Sequence, residues 1–143
     1  MKDQFYLNLP DGKMPTGTAQ QKGVRIVHGK PIFYKKSNVE GAEAIFKTLL
    51  LPHRPKKPSA NPIKLAVWFV FDTKDRKKWG KPKATRPDTE NYLKLFKDLM
   101  TDCGFWEDDA QVWDEHVWKT YGEKACVAVS YEEVFDNAKP IRT

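Results

Sequence analysis

The stretch IKLAVWFVF, residues 63–71, is an almost unbroken apolar run rich in Val, Phe and Trp. Bounded by turn-forming residues, such a run reads as a central strand of a sheet. Just upstream, residues 51–62 hold four prolines and read as an irregular connection. Before them, Val39, Ala42, Ile45, Phe46 and Leu49 recur at helical spacing behind a Ser37/Glu40 capping box, which predicts a first helix ending near Leu50. Val24 to His28 and Ile32 to Tyr34 are β-rich runs separated by Gly29-Lys30-Pro31 and predict a hairpin. Phe5, Leu7 and Leu9 alternate with Tyr6 and Asn8, so the chain should open with a half-buried strand that stops at Pro10-Asp11-Gly12.

Downstream of the central run, residues 72–86 carry seven cations, Lys74, Arg76, Lys77, Lys78, Lys81, Lys83 and Arg86, with Trp79 and Gly80 among them. This reads as a mobile basic loop. Asp88 is placed to cap a second helix running to about Thr101, with Tyr92, Leu93, Phe96, Leu99 and Met100 on its buried face and Gly104 to end it. Gln111 to Lys119 and Ala125 to Tyr131 alternate as strands around Tyr121-Gly122-Glu123 and predict a second hairpin, after which the tail from Glu132 reads as frayed. There is no internal repeat. The order of elements predicts an α+β fold, a mixed β-sheet packed against two principal helices near residues 38–50 and 89–101, in one domain spanning residues 1–143.

The composition agrees with a compact chain: 143 residues, 40% hydrophobic and 13% aromatic, are enough for a real core. A formal charge of +6 attracts polyanions, though many kinds of protein are basic. No stretch near the start has the apolar core of a signal peptide, and no run approaches the roughly 20 apolar residues of a membrane span, so a cytoplasmic protein without membrane contact is expected. Cys103 and Cys126 are too few for a disulfide framework and lack zinc-site spacing; both read as buried, reduced thiols.

The charge is unevenly distributed. Residues 98–115 contain seven acids, Asp98, Asp102, Glu107, Asp108, Asp109, Asp114 and Glu115, and no Lys or Arg, with Asp88 and Glu90 just upstream. Carboxylates within about 4 Å of one another repel unless protonated or bridged by a cation. With no His or Cys cluster nearby, the preferred ion is hard, Mg²⁺ or else Mn²⁺, which also accepts phosphate oxygens. Cations that hold a phosphate backbone beside carboxylates that hold a metal are what phosphodiester hydrolysis requires. Each part has a plainer reading when taken alone. Asp88 and Glu90 complement a helix macrodipole, Glu107-Asp108-Asp109 makes a solvated turn, and the basic loop aids solubility. His28, His53 and His116 are isolated and read as ordinary surface or strand residues.

Taken together, these segments resemble the RusA-like family of Holliday junction resolvases. The family signature is an Arg-x-Asp-x-Asp-Asn-x-x-Lys helix start followed by Asp-Asp-x-x-Val about nineteen residues later, the spacing between Glu90 and Asp109 here. The first part reads RPDTENYLK, Arg86 to Lys94. The second reads FWEDDAQVWDEHVWK, Phe105 to Lys119, and Lys97-Asp98-Leu99 stands where the family has Asp-x-Leu. The likeness covers about residues 63–131, and residues 1–60 share it only in outline.

The resemblance implies that Asp88, Glu90 and Asp109 are metal-binding catalytic acids, with Asp108 adjacent, and that Lys94 is the essential helix lysine. It implies a homodimer that cuts four-way DNA junctions by paired symmetric nicks, for which Mg²⁺ is the expected ion; the charge of Lys74, Arg76, Lys77, Lys78, Lys81, Lys83 and Arg86 is expected to grip the DNA backbone. Asn91 matches the family's Asn as a supporting group. Glu90 departs from the family's Asp by one methylene, which changes its angle of approach to a metal. Lys94 lies one turn after Glu90 on the same face, so its ammonium can pair with that carboxylate or contact a phosphate. Two other readings stay open: a non-catalytic DNA-binding module that keeps the fold, and a metal-binding interaction protein.

Overall fold

The computed structural model describes residues 2–15, 22–27, 30–35 and 37–135, with side chains described in 2–15 and 41–135. In chain order the elements are β1 (Lys2–Asn8), β2 (Lys22–Val27), β3 (Lys30–Lys35), α1 (Ser37–Leu50), β4 (Ile63–Asp72), α2 (Thr89–Cys103), β5 (Val112–Gly122) and β6 (Cys126–Glu133). Four strands form one mixed sheet in the order β1-β6-β4-β5, and β2 pairs with β3 in a separate two-stranded ribbon. The fold is α+β, as the sequence predicts.

β4 is an interior strand, with β6 on one edge and β5 on the other. Its odd-numbered residues, Ile63, Leu65, Val67, Phe69 and Phe71, are buried toward the helices. On α2, Tyr92, Leu93, Phe96, Leu99 and Met100 fall on the facing stripe, with Leu95 and Cys103 also buried. Phe96 sits at the centre of the core, edge-on to Phe69 at 5.1 Å and to Phe46 of α1 at 4.9 Å between ring centroids. Burying such a ring contributes about 2–3 kcal/mol. Truncating it to Ala would cost about 3–5 kcal/mol, because the cavity left behind is added to the lost transfer term. Gly104 ends α2 in the left-handed conformation at φ 91°, its N–H donating to Met100 O and Thr101 O, so the helix runs two residues past the expected Thr101.

β5 and β6 are not a hairpin, contrary to the expectation. β5 pairs with β4 in parallel, joined to it through the α2 crossover, while β6 pairs with β4 antiparallel on the opposite edge. The nearly continuous apolar β4 thereby gains a strand on each side, and the residues between β5 and β6 carry the chain across its end. The crossing is tight at Gly122, where an added Cβ would meet Val70 Cγ1 at 2.6 Å.

Four smaller expectations are also corrected. β6 continues through Glu133 with Val134 N donating to Pro62 O, so the chain is not frayed from Glu132. Lys30 and Pro31 belong to β3, and the turn between the ribbon strands lies outside the described residues, as do the Ser37 and Glu40 side chains of the capping box. Cys126 is only half-buried, whereas Cys103 is buried. The basic loop is not free: Asp75 caps a 3-10 turn at Arg76–Lys78, Trp79 Nε1 donates to Thr73 O at 2.8 Å, and Gly80 N donates to Tyr121 O at 2.8 Å. Its backbone polar groups find partners on the free edge of β5.

The helices cover one face of the sheet. On the other, Tyr6, Trp68 and Trp118 are exposed by 62, 47 and 48% and lie in one row across the sheet, with Ala128 between the first two. No helix among the described residues is long and apolar enough to cross a membrane.

Candidate active site

The start of α2 and the beginning of β5 face each other across a cavity of about 500 Å³. Thr89, Glu90, Leu93, Lys94 and Lys97 line it from the helix, one turn above another. Asp109, Glu115 and Val117 line it from the β5 side. Three of the sequence-predicted residues, Glu90, Lys94 and Asp109, therefore share one cavity. Among the described residues Lys94 forms no ion pair with Glu90; the pair lining the cavity is Lys97 Nζ with Glu115 Oε2 at 2.9 Å.

Asp88 is next to this cavity without lining it. It occupies the N-cap position in an extended conformation, with its main-chain O accepting from Tyr92 N, yet its side chain makes no capping hydrogen bond. An N-cap carboxylate ordinarily satisfies one of the helix's orphan N–H groups, so this exposed carboxylate remains open to another partner. Asp108 is the contrary case. Its Oδ1 accepts from Ala110 N at 2.9 Å, and Gln111 completes a capping box around the 3-10 turn Asp109–Gln111. Gln111 Nε2 further donates to Ser59 O and Asn61 O, anchoring the acidic turn to the connection before β4.

Asp109 is held from behind by groups that the sequence reading did not single out. The Thr101 hydroxyl accepts from Trp106 Nε1 at 2.8 Å and lies within donor reach of both Lys97 O and Asp109 Oδ1. Its one proton favours the ionised carboxylate, since charge-assisted bonds are the stronger. Asp98, one turn after Lys94, also hydrogen-bonds Asp109. Burial, then this bond, pushes the Asp98 carboxyl up to about 6. Asp109 goes the other way: burial opposes ionisation, but bonds from Asp98 and Thr101 and the charge of Lys97 outweigh it and lower its pKa. Below about pH 6, therefore, Asp98 keeps its proton while Asp109 carries the charge.

The basic loop approaches from the edge of β5. Lys83 N donates to Lys119 O and Tyr121 N to Lys81 O, while Lys83 Nζ lies over the Tyr121 ring at 5.1 Å and Lys78 Nζ at 5.5 Å. Lys74, Arg76, Lys77, Lys78, Lys81 and Arg86 are exposed, and Lys83 is half-buried. The three histidines carry no chemistry that the described residues reveal: His53 stacks on Phe5 at 4.3 Å, His116 lies 3.0 Å from Asp114, and His28 is outside the described residues.

Among the described residues no three Asp, Glu, His or Cys side chains are gathered closely enough to hold a metal ion. The donor chemistry nevertheless fits a hard divalent ion. Glu90 and ionised Asp109 face one cavity, Asp88 is uncommitted beside it, and all three offer carboxylate oxygens. Lys97, Glu115, Asp98, Thr101 and Trp106 are the site residues the sequence reading missed. The signal for three of them was present in the acid-rich segment and the Asp-x-Leu step, but spacing alone does not say which acid faces which.

Two comparisons bear on this arrangement. The family model described as Endodeoxyribonuclease RusA matches residues 13–132. A protein of Lactococcus phage r1t named crossover junction endodeoxyribonuclease rusA is 35% identical over 136 residues, covering 94% of this chain and 100% of that protein. The matched span contains the cavity, the acidic turn and the basic loop.

Proposed function

This chain belongs to the endodeoxyribonuclease RusA family, and on that footing we propose that it resolves four-way DNA junctions by paired, symmetric phosphodiester hydrolysis. The observation that carries the reading is the cavity shared by Glu90, Lys94 and Asp109, two carboxylates and a cation where a phosphate and its counterion must meet. A divalent metal is the family's requirement, and we assign Mg²⁺, with Mn²⁺ as substitute, to Asp88, Glu90 and Asp109. When bound, the ion polarises the scissile phosphate and lowers the pKa of the attacking water.

The chain's own residues do the rest. Asp109, whose charge is favoured by Thr101 and Lys97 and, below about pH 6, by protonated Asp98, offers that charge without first releasing a proton. Lys94, free of Glu90, is directed at the phosphate whose charge grows in the transition state. Asp108 stays with the acidic turn as its cap and steadies Asp109 from the next position. Lys74, Arg76, Lys77, Lys78, Lys81, Lys83 and Arg86 grip the backbone of the DNA arms without reading bases. Incubating the protein with a labelled mobile four-way junction and with linear duplex of the same sequence, each with and without Mg²⁺, tests this reading. Nicks confined to the junction with Mg²⁺ are expected; equal cutting of linear duplex, or none of either, would overturn it.

Paired nicks need two centres, and we assign the second to a second copy of the chain. The open sheet face suits that contact. Its aromatic row is flanked by Lys2, Glu132, Lys64 and Asp114 in alternating charge, a surface that does not attract a polyanion as the basic loop does. Sedimentation equilibrium should show a dimer that Trp68→Ser with Trp118→Ser dissociates. A wild-type monomer at concentrations that cut junctions would remove the pairing.

A further inference from the structure

Between the part of the basic loop that pairs with β5 and the first turn of α2 lie residues 84–87. Among the described residues they take part in no main-chain to main-chain hydrogen bond. The Thr85 hydroxyl meets Lys83 Nζ at 2.7 Å and Tyr121 Oη at 3.4 Å, but their main chain is held by one side chain. Lys119 Nζ donates to Thr85 O and to Pro87 O, at 2.7 Å each, from half-buried β5. The two carbonyls bracket Arg86, and the second belongs to the residue immediately before Asp88.

We propose that Lys119 is a positioning residue for the metal centre: its ammonium ties both carbonyls around Arg86 to β5 and so fixes the direction in which Asp88 leaves the chain. The inference rests on the assignment of Asp88 as a metal ligand. An ammonium has three donors and no acceptor; two are spent on this stretch, at distances typical of strong charge-assisted bonds. Spending them here takes the group out of water. Burial, then the neighbouring Lys83, lowers the Lys119 pKa, while the charge of Asp88 raises it, which places that carboxylate within electrostatic reach of the same nitrogen. Asp88 needs such support because it makes no capping bond to its own helix. Without Lys119, Thr85 O and Pro87 O lose the only partner they have among the described residues, and between the Thr85 hydroxyl and the Asp88 carbonyl, which Tyr92 N holds, the main chain has no fixed point. A ligand carried on such a stretch binds its ion more weakly, and loss of the group that orients a ligand typically costs about 10–100-fold in metal affinity.

The test uses the full chain with Lys119→Met, which keeps the apolar stem, and Lys119→Arg, which keeps charge and donors. Mn²⁺ affinity is read by electron paramagnetic resonance without DNA, and junction cleavage is measured across a Mg²⁺ titration. Lys119→Met should weaken Mn²⁺ binding by about 10-fold or more and raise the half-saturating Mg²⁺ in parallel. Its cleavage rate at saturating Mg²⁺ should stay within about 3-fold of wild type, a split that general loosening of the fold would not give. Lys119→Arg should restore most of the affinity. Asp88→Asn is measured alongside. If Asp88→Asn weakens Mn²⁺ binding and Lys119→Met does not, the positioning role is wrong and the assignment of Asp88 stands. If Asp88→Asn leaves Mn²⁺ affinity unchanged, the assignment of Asp88 fails, and this inference with it.

Discussion

Asp98 and Asp109 share a hydrogen bond between the last turns of α2 and the 3-10 turn that leads into β5. Two carboxyls that close cannot both be charged at low cost, so one keeps its proton to higher pH, here to about 6. Asp109 is the ionised member because Thr101 and Lys97 also favour its charge, which leaves it ready to face a cation in the cavity.

That pairing fixes a pH dependence. Asp98 keeps its proton in the folded chain up to about 6, whereas its ordinary value is 3.8. Between these values the folded chain holds more protons than the unfolded one, so the Asp98 contribution is complete below the lower value and is lost as pH rises through about 6. Urea unfolding in EDTA should therefore show wild type losing ground to Asp98→Asn as pH rises between these values, with a constant difference from there to about pH 8. A difference that does not vary with pH would contradict the shared proton.

The passage of the chain across the end of β4 makes a second prediction. Gly122→Ala places a Cβ against Val70 Cγ1, and overpacking of that kind costs about 1–3 kcal/mol. Adding Val70→Ala should recover part of that loss, seen as a favourable coupling in a double-mutant cycle of urea midpoints. Strictly additive effects would mean that the two residues do not meet.

Much of this architecture is legible in the sequence, and the exceptions have a common cause. β4 and α2 are found because their signals are local: one apolar run, and one stripe from Tyr92 to Met100. The pairing of β5 with β4 instead of β6 is not found, because alternation tells which face of a strand is buried and says nothing about which strand lies beside it. The expectation of a free loop at 72–86 fails for the same reason, since its partners are Lys119 and Tyr121 on β5. Glu90, Lys94 and Asp109 stand out by type and spacing. Lys119, which bonds Pro87 across 32 residues, has no local signature, and neither does the choice of Asp98 as partner of Asp109.

Cations at the two places should behave differently. Lys78, Lys81 and Lys74 hold backbone phosphates in this account, and each neutralised phosphate adds close to one unit to the slope of log affinity against log salt. Replacing all three with Ala should flatten that slope by up to about three and change cleavage at saturating protein little. Lys94→Ala should leave the slope nearly intact and slow cleavage by about 10²–10³-fold, since a charge at the scissile phosphate matters more in the transition state than in binding. Wild-type cleavage by Lys94→Ala would return that residue to a structural role.

The most direct measurement is single-turnover cleavage of a four-way junction, beside junction affinity, for Asp88→Asn, Asp109→Asn and Glu90→Asp at saturating protein and Mg²⁺. Asp88→Asn and Asp109→Asn should each lower the rate by on the order of 10³-fold or more. Their junction affinity should be unchanged or tighter, because each loses a negative charge that faces phosphate. Glu90→Asp should cut at the wild-type rate or faster. If Asp88→Asn and Asp109→Asn both cut normally, or lose junction binding along with cleavage, the carboxylates around this cavity are not its catalytic centre.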